Sequence, residues 1–221
     1  MWLLNSSIGK KVVMSITGLF LILFLTFHMS MNLVAIFSGE AYNMVCEFLG
    51  ANWYALVGTL VIAGGAVLHI LYAFWLTYIN RRARGNDRYK VVDKPKDVEW
   101  ASQNMLALGI VIALGLLAHL YFFWAKMQLN EITGIFPDVN PHDGYTLIRE
   151  CFSNPIVTIL YIVWFAAIWF HLTHGFWSAL HTLGWNNKIW LSRWKCISCI
   201  YTTVICLGFA VVAIYFGFIA A

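Results

Sequence analysis

Five stretches of this chain contain no Asp, Glu, Lys or Arg: Val12 to Gly39, Tyr54 to Asn80, Ala101 to Ala125, Pro155 to Leu183 and Cys196 to Ala221. Each is long enough to cross a hydrocarbon core, which takes roughly 20 apolar residues as an α-helix. Lipid offers the backbone no hydrogen-bond partner, so such runs must satisfy their own N–H and C=O groups, and a helix does so within one segment. A soluble domain is excluded independently, because 61% of the residues are hydrophobic and only 11% charged. The sequence therefore predicts an all-α integral membrane protein. It is expected to be one domain over residues 1–221, folded as a five-transmembrane-helix bundle.

The basic residues orient it. Lys10, Lys11, the seven between Arg81 and Lys96, and Lys188, Arg193 and Lys195 fall on one side, against Lys126 and Arg149 on the other. The positive-inside rule then puts the N-terminus in the cytoplasm and the C-terminus outside. The same rule accounts for the formal charge of +4, so the charge gives no reason to expect nucleic acid as a partner. The first apolar run is longer than a signal-peptide core and lacks a small-residue cleavage site, so it is read as a retained span. The segment from Arg81 to Trp100 is the one sizeable cytoplasmic loop, suited to anionic lipid or a partner protein. The outer segment from Lys126 to Asn154 is broken by Pro137, Pro141 and Gly144, with "GYTLIRECF" as a short interfacial helix. Five cysteines, an odd number, do not describe a disulfide framework, and Cys196-x-x-Cys199 has no second pair to complete a zinc site.

Histidine is the informative residue. Three of the seven, His171, His174 and His181, lie in the uncharged stretch "WFHLTHGFWSALH", and each of the first three runs carries one more: His28, His69 and His119. Ionisable groups in spanning helices are costly and usually face the bundle interior, where they bind something. Helix direction and rise sort them by depth. His28 lies near the outer end of its helix, and His119 is about 19 residues, or roughly 28 Å, from the cytoplasmic start of its own. His69 and His171 stand about 11 and 12 residues, roughly 17 Å, from their cytoplasmic ends. Two pairs at two depths suit two bis-histidine haems better than one zinc ion, which wants four ligands at one point. Gly65, Gly115 and Gly175, each one turn from a histidine, are expected to make room for a flat macrocycle, although small residues also serve plain helix packing. Ser15 and Thr17 either reach haem propionates or bond back to their own helix.

The order of these features resembles the cytochrome b membrane-anchor subunit of succinate:quinone oxidoreductases and quinol:fumarate reductases, in its single-chain, five-helix, di-haem form. The resemblance spans nearly the whole chain and is carried by "SITGLFLILFLTFHM", the single histidines of the second and third helices, and "FHLTHGFWSAL". It implies His28 and His119 as ligands of an outer haem iron, and His69 and His171 as ligands of an inner one. His171 is preferred to His174 because Gly175, Phe176 and Trp177 follow it in the family's pattern; His174 keeps no assigned role. It further implies a place near a propionate for His181, for which snorkelling at the interface is the alternative. Glu47 is implied as the quinone-site carboxylate, with Glu40 as its rival. The partners implied are a flavoprotein and an iron-sulfur subunit on the cytoplasmic face of a bacterial cytoplasmic membrane, with menaquinone as substrate. One departure is that some members carry a glutamate two residues before the fourth-helix ligand, where this chain has Trp169. A quinone-reactive di-haem cytochrome b of another membrane dehydrogenase is the alternative function.

Overall fold

The computed structural model describes residues 6–84 and 99–220. Most of the expected cytoplasmic loop, residues 85–98, lies outside the described residues. Among the described residues the chain is helical and has no strand, and five helices are long and apolar enough to span a membrane. We number the helices in chain order: α1 (Ser7–Phe37), α2 (Gly39–Phe48), α3 (Trp53–Arg84), α4 (Trp100–Gln103), α5 (Met105–His119), α6 (Asn130–Thr133), α7 (Gly144–Phe152), α8 (Pro155–Thr182) and α9 (Trp190–Ile214). A π-helical stretch, Leu120–Leu129, joins α5 to α6 without a break, and a shorter one, Tyr215–Ile219, extends α9. The spans are thus α1, α3, α5 with its extension, α8 and α9.

Local chemistry sets the helix ends. Ser6 caps α1 by accepting from the Gly9 N–H at 2.9 Å, and Ser38 caps α2 through the Ala41 N–H at 3.1 Å. Asn154 caps α8 through the Ile156 N–H at 3.0 Å, with Pro155 at the first helical position, where its missing N–H costs nothing. Gly184, with φ of 87°, turns the chain after α8 in the left-handed region that favours glycine.

Side-chain contacts show that neighbouring spans run antiparallel. Between α1 and α3, Lys10 reaches Trp75, Thr17 reaches His69, and Phe20 lies against Gly65. Between α8 and α9, Phe165 stacks on Phe209 and Trp169 donates to Thr203 at 2.8 Å. We call the end where α1 begins the near face and the opposite end the far face.

The core lies among α1, α8 and α9, around Ile22, Phe165, Ile168, Leu172, Cys206 and Phe216. Close packing there uses small residues, as lipid-embedded interfaces do. A Cβ on Gly208 would stand 2.7 Å from Met29 Cγ. Threonines join the helices by hydrogen bonds: Thr26 to Tyr201 at 2.7 Å, and Thr173 to Thr202 at 2.9 Å. Side chains such as Leu23, Leu60, Leu114 and Leu160 point outward, as a lipid-facing surface requires. α3 packs on α1 and more lightly on α5.

Between the first two spans lies an element the sequence did not announce: α2 is a separate amphipathic helix on the far face. The third span does not stop at Ala125 but continues through Lys126 to Thr133. The segment "GYTLIRECF" is the helix α7, but Leu147, Ile148 and Phe152 are buried against the rest of the chain. Asp143 caps it through the Thr146 N–H at 3.1 Å and accepts from Asn43 Nδ2 at 2.9 Å, which ties α7 to α2. Partial burial raises the Asp143 pKa, but these bonds outweigh that and hold its carboxyl below the usual range. Burial pushes the Cys46 thiol up to about 11, so it stays a protonated packing residue under α7. All five cysteines are free.

Candidate cofactor site

Four histidines from four different spans meet as two pairs. The rings of His28 on α1 and His119 on α5 have centroids 5.8 Å apart at an interplanar angle of 83°. Those of His69 on α3 and His171 on α8 are 6.4 Å apart at 75°. These are the pairs obtained by counting depth along the helices. Two imidazoles sharing one metal atom through bonds of about 2 Å would have their ring centres about 6 Å apart. Among the described residues no three His, Cys, Asp or Glu side chains converge on one point. The geometry is therefore that of two separate facing histidine pairs, the arrangement a bis-histidine haem would need, and not that of a four-ligand cage.

Hydrogen bonds orient the rings. Thr17 Oγ1 stands 3.0 Å from the Val13 carbonyl and 3.1 Å from that of Met14, to which its hydroxyl donates. It also stands 3.1 Å from His69 Nδ1. With its proton directed to the backbone, the hydroxyl accepts from His69 Nδ1–H, which leaves the Nε2 lone pair free for a metal. Tyr161 on α8 places its hydroxyl 3.4 Å from His119 Nδ1 and can hold that ring in the same tautomer. Asn32 Nδ2 donates to the His28 carbonyl at 2.8 Å and lies 3.4 Å from His28 Nδ1. Aromatic walls complete the far pair: Phe24 stacks on His28 at 5.4 Å, while Phe123 and Trp164 flank His119 at 5.2 and 5.8 Å.

The near pair has unmet polar groups. His171 Nδ1 and the Tyr72 hydroxyl are buried with no hydrogen-bond partner. Tyr72 is only 8% exposed and sits three residues after His69, on the same helix face. Leaving such a group unsatisfied costs about 1–3 kcal/mol, so each of these two atoms has room for a partner that the described residues do not supply. Beside Gly175 the space is open, whereas Phe20 fills the space at Gly65 and Trp164 that at Gly115. Of the three glycines expected to make room, Gly175 alone has open space beside it among the described residues.

The other candidates are placed as follows. Ser15 is buried on α1. Thr17 both bonds back to its own helix and holds His69, so it is an orienting group. His181 is exposed at the near end of α8, its ring edge-on to Trp177. His174, left without a role by the sequence, pairs with Glu99: Nδ1 lies 3.1 Å from Oε2, and Lys195 Nζ lies 2.8 Å from the other carboxylate oxygen. Partial burial raises the Glu99 pKa, but hydrogen bonds from Lys195 and His174, together with their charges, outweigh it and lower the carboxyl below its ordinary value.

Glu47 and Glu40 both line an open cleft of about 330 Å³ on the far face, shared with Asn43, Asn140, His142 and Asp143. Glu131, which the sequence did not single out, accepts from the Ala51 N–H at 2.8 Å and so fixes the turn into α3. Tyr161 was also missed, since nothing in an aromatic-rich span distinguishes it. Glu99 had a visible signal: it is the acid immediately before the third run. No protein family, curated protein or solved structure matches the chain.

Proposed function

We propose that the chain is the membrane-anchor and electron-transfer subunit of a succinate:quinone oxidoreductase or quinol:fumarate reductase, carrying two b haems. The observation that carries this reading is the pair of facing histidine couples, one member from each of four successive spans. In this reading His28 and His119 hold the outer haem iron, and His69 and His171 the inner one. When bound, the haems supply one-electron transfer, with potentials tuned by ligand orientation and burial.

The chain's own residues do the rest. Thr17 and Tyr161 hold the proton on Nδ1 of their histidines and present Nε2. Ser15, buried, and His181, at the near end, are assigned to the propionates. Glu47, exposed in the far-face cleft, is assigned the proton that menaquinone takes up or gives back. The near face, where the basic residues gather, is assigned to the cytoplasm and to docking of an iron-sulfur subunit with its flavoprotein, in a bacterial cytoplasmic membrane.

The test is a pyridine haemochrome assay with redox titration on the intact chain and on His171→Ala and His28→Ala. Two b haems per chain, with each substitution removing a different one, is the expected result. An intact, folded chain that takes up no haem overturns the reading.

A further inference from the structure

The turn between α8 and α9 carries a feature that the histidine reading does not use. Gly184, Trp185, Asn186, Asn187, Trp190 and Trp194 line an open pocket of about 280 Å³ on the near face. Its walls are fixed. Trp194 Nε1 donates to the Trp185 carbonyl, and the indoles of Trp185 and Trp190 stand 6.4 and 5.3 Å from that of Trp194.

The pocket's own lining is uncharged, and its charge comes from two neighbours outside that lining, Lys188 and Arg193. Asn187 Oδ1 is taken up in accepting from the Ile189 and Trp190 N–H groups, both at 2.9 Å, and its amide nitrogen has no acceptor among the described residues. Arg193 lies over the Trp190 ring at 5.2 Å, and Lys188 stands in the turn; neither has an acidic partner among the described residues. No carboxylate lines the pocket. The site therefore favours an anion.

Its surroundings are apolar. Trp185 is 63% and Ile189 64% exposed, and both sit where one membrane span ends and the next begins. Indoles and snorkelling cations at that level are the side chains that meet lipid headgroups. We propose that this pocket binds the phosphate of an anionic phospholipid, with Arg193, Lys188 and the Asn187 amide facing the headgroup and Trp185 and Ile189 lying along its acyl chains. The inference is independent of what the histidine pairs hold.

Native mass spectrometry of the full chain, released from bilayers of equal phosphatidylglycerol and phosphatidylcholine, tests it. Phosphatidylglycerol is expected to be retained over phosphatidylcholine by roughly 30-fold, the order two unpaired cations give. That preference should vanish in the Lys188→Gln, Arg193→Gln double variant and survive in Arg193→Lys, which keeps the charge and controls for folding. Equal retention of the two lipids by the unaltered chain overturns the proposal, as does a preference that the double variant keeps. A melting shift with inorganic phosphate alone that equals the shift with phosphatidylglycerol also overturns it, by making this a free-anion site. So does loss of a bound polypeptide partner in the double variant with lipid retention unchanged.

Discussion

Replacing Thr17 by Val keeps the branched shape of the side chain and removes one hydroxyl, the group that stands 3.1 Å from His69 Nδ1. The Val13 and Met14 carbonyls keep their helical partners, so the loss falls on His69. Its Nδ1–H is left in the bundle without an acceptor, at a cost of about 1–3 kcal/mol. At about 1.4 kcal/mol per tenfold, that is roughly five- to 150-fold in affinity. The range brackets the 10- to 100-fold that loss of a ligand's orienting partner typically costs a metal site. The assay is haem titration into the cofactor-free chain, read by the Soret band and by the midpoint potential of each centre. Thr17→Val is expected to weaken one centre by that factor. The centre at His28 and His119, whose nearest hydroxyl is that of Tyr161, should bind as before. Equal weakening of both centres, or no change in either, would refute the argument that Thr17 fixes the His69 tautomer.

Tyr72→Phe deletes a buried hydroxyl that has no partner among the described residues, so the cofactor-free protein should be as stable as the unaltered one or more so in denaturant titration. If that hydroxyl meets the bound group, the same variant should lose cofactor from the His69–His171 site faster; destabilisation of the cofactor-free chain would show that Tyr72 has a structural partner instead. Glu99 has a folded-state pKa below its ordinary value, so its contribution to stability is present above the ordinary carboxylate range and is lost as pH falls through the depressed folded value. Thermal melts across this acid range should therefore fall for the unaltered chain and be flatter for Glu99→Gln; identical profiles would remove Glu99 as the acid-sensitive link among His174, Lys195 and the near end of the bundle.

The spans were legible because charge-free runs of this length have few other solutions in lipid, and the histidine pairs were legible because helix rise and direction convert residue number into depth. Legibility stopped where a residue's meaning depends on its neighbour. Lys126 ends a charge-free run but does not end a helix, so the third span was read too short. α2 is ten residues long, with Glu40, Asn43 and Glu47 on it, and has no apolar run to announce it. Gly65 and Gly115 indicate that something approaches the backbone closely, but not whether it is a ligand or, as found, Phe20 and Trp164. The partners of Thr17 and His174 come from other helices, at sequence separations of 52 and 75, where no local pattern records them.

The way the spans are arranged divides each histidine pair between two kinds of helix. His28 and His171 belong to α1 and α8, which pack on each other and on α9, while His69 belongs to α3, packed on α1, and His119 to α5, packed on α8 through Ile112 and Trp164. Each pair thus joins an imidazole of the α1–α8–α9 group to one of a helix packed on its outside, α3 on α1 and α5 on α8. A substitution that tilts α3 changes the near pair and leaves the far pair alone, and one that tilts α5 does the reverse. α9, which holds no histidine in its span, touches both pairs' helices through α8 and α1. Two centres built this way can drift apart in their properties through changes at the edge of the bundle, without disturbing the frame that keeps them aligned.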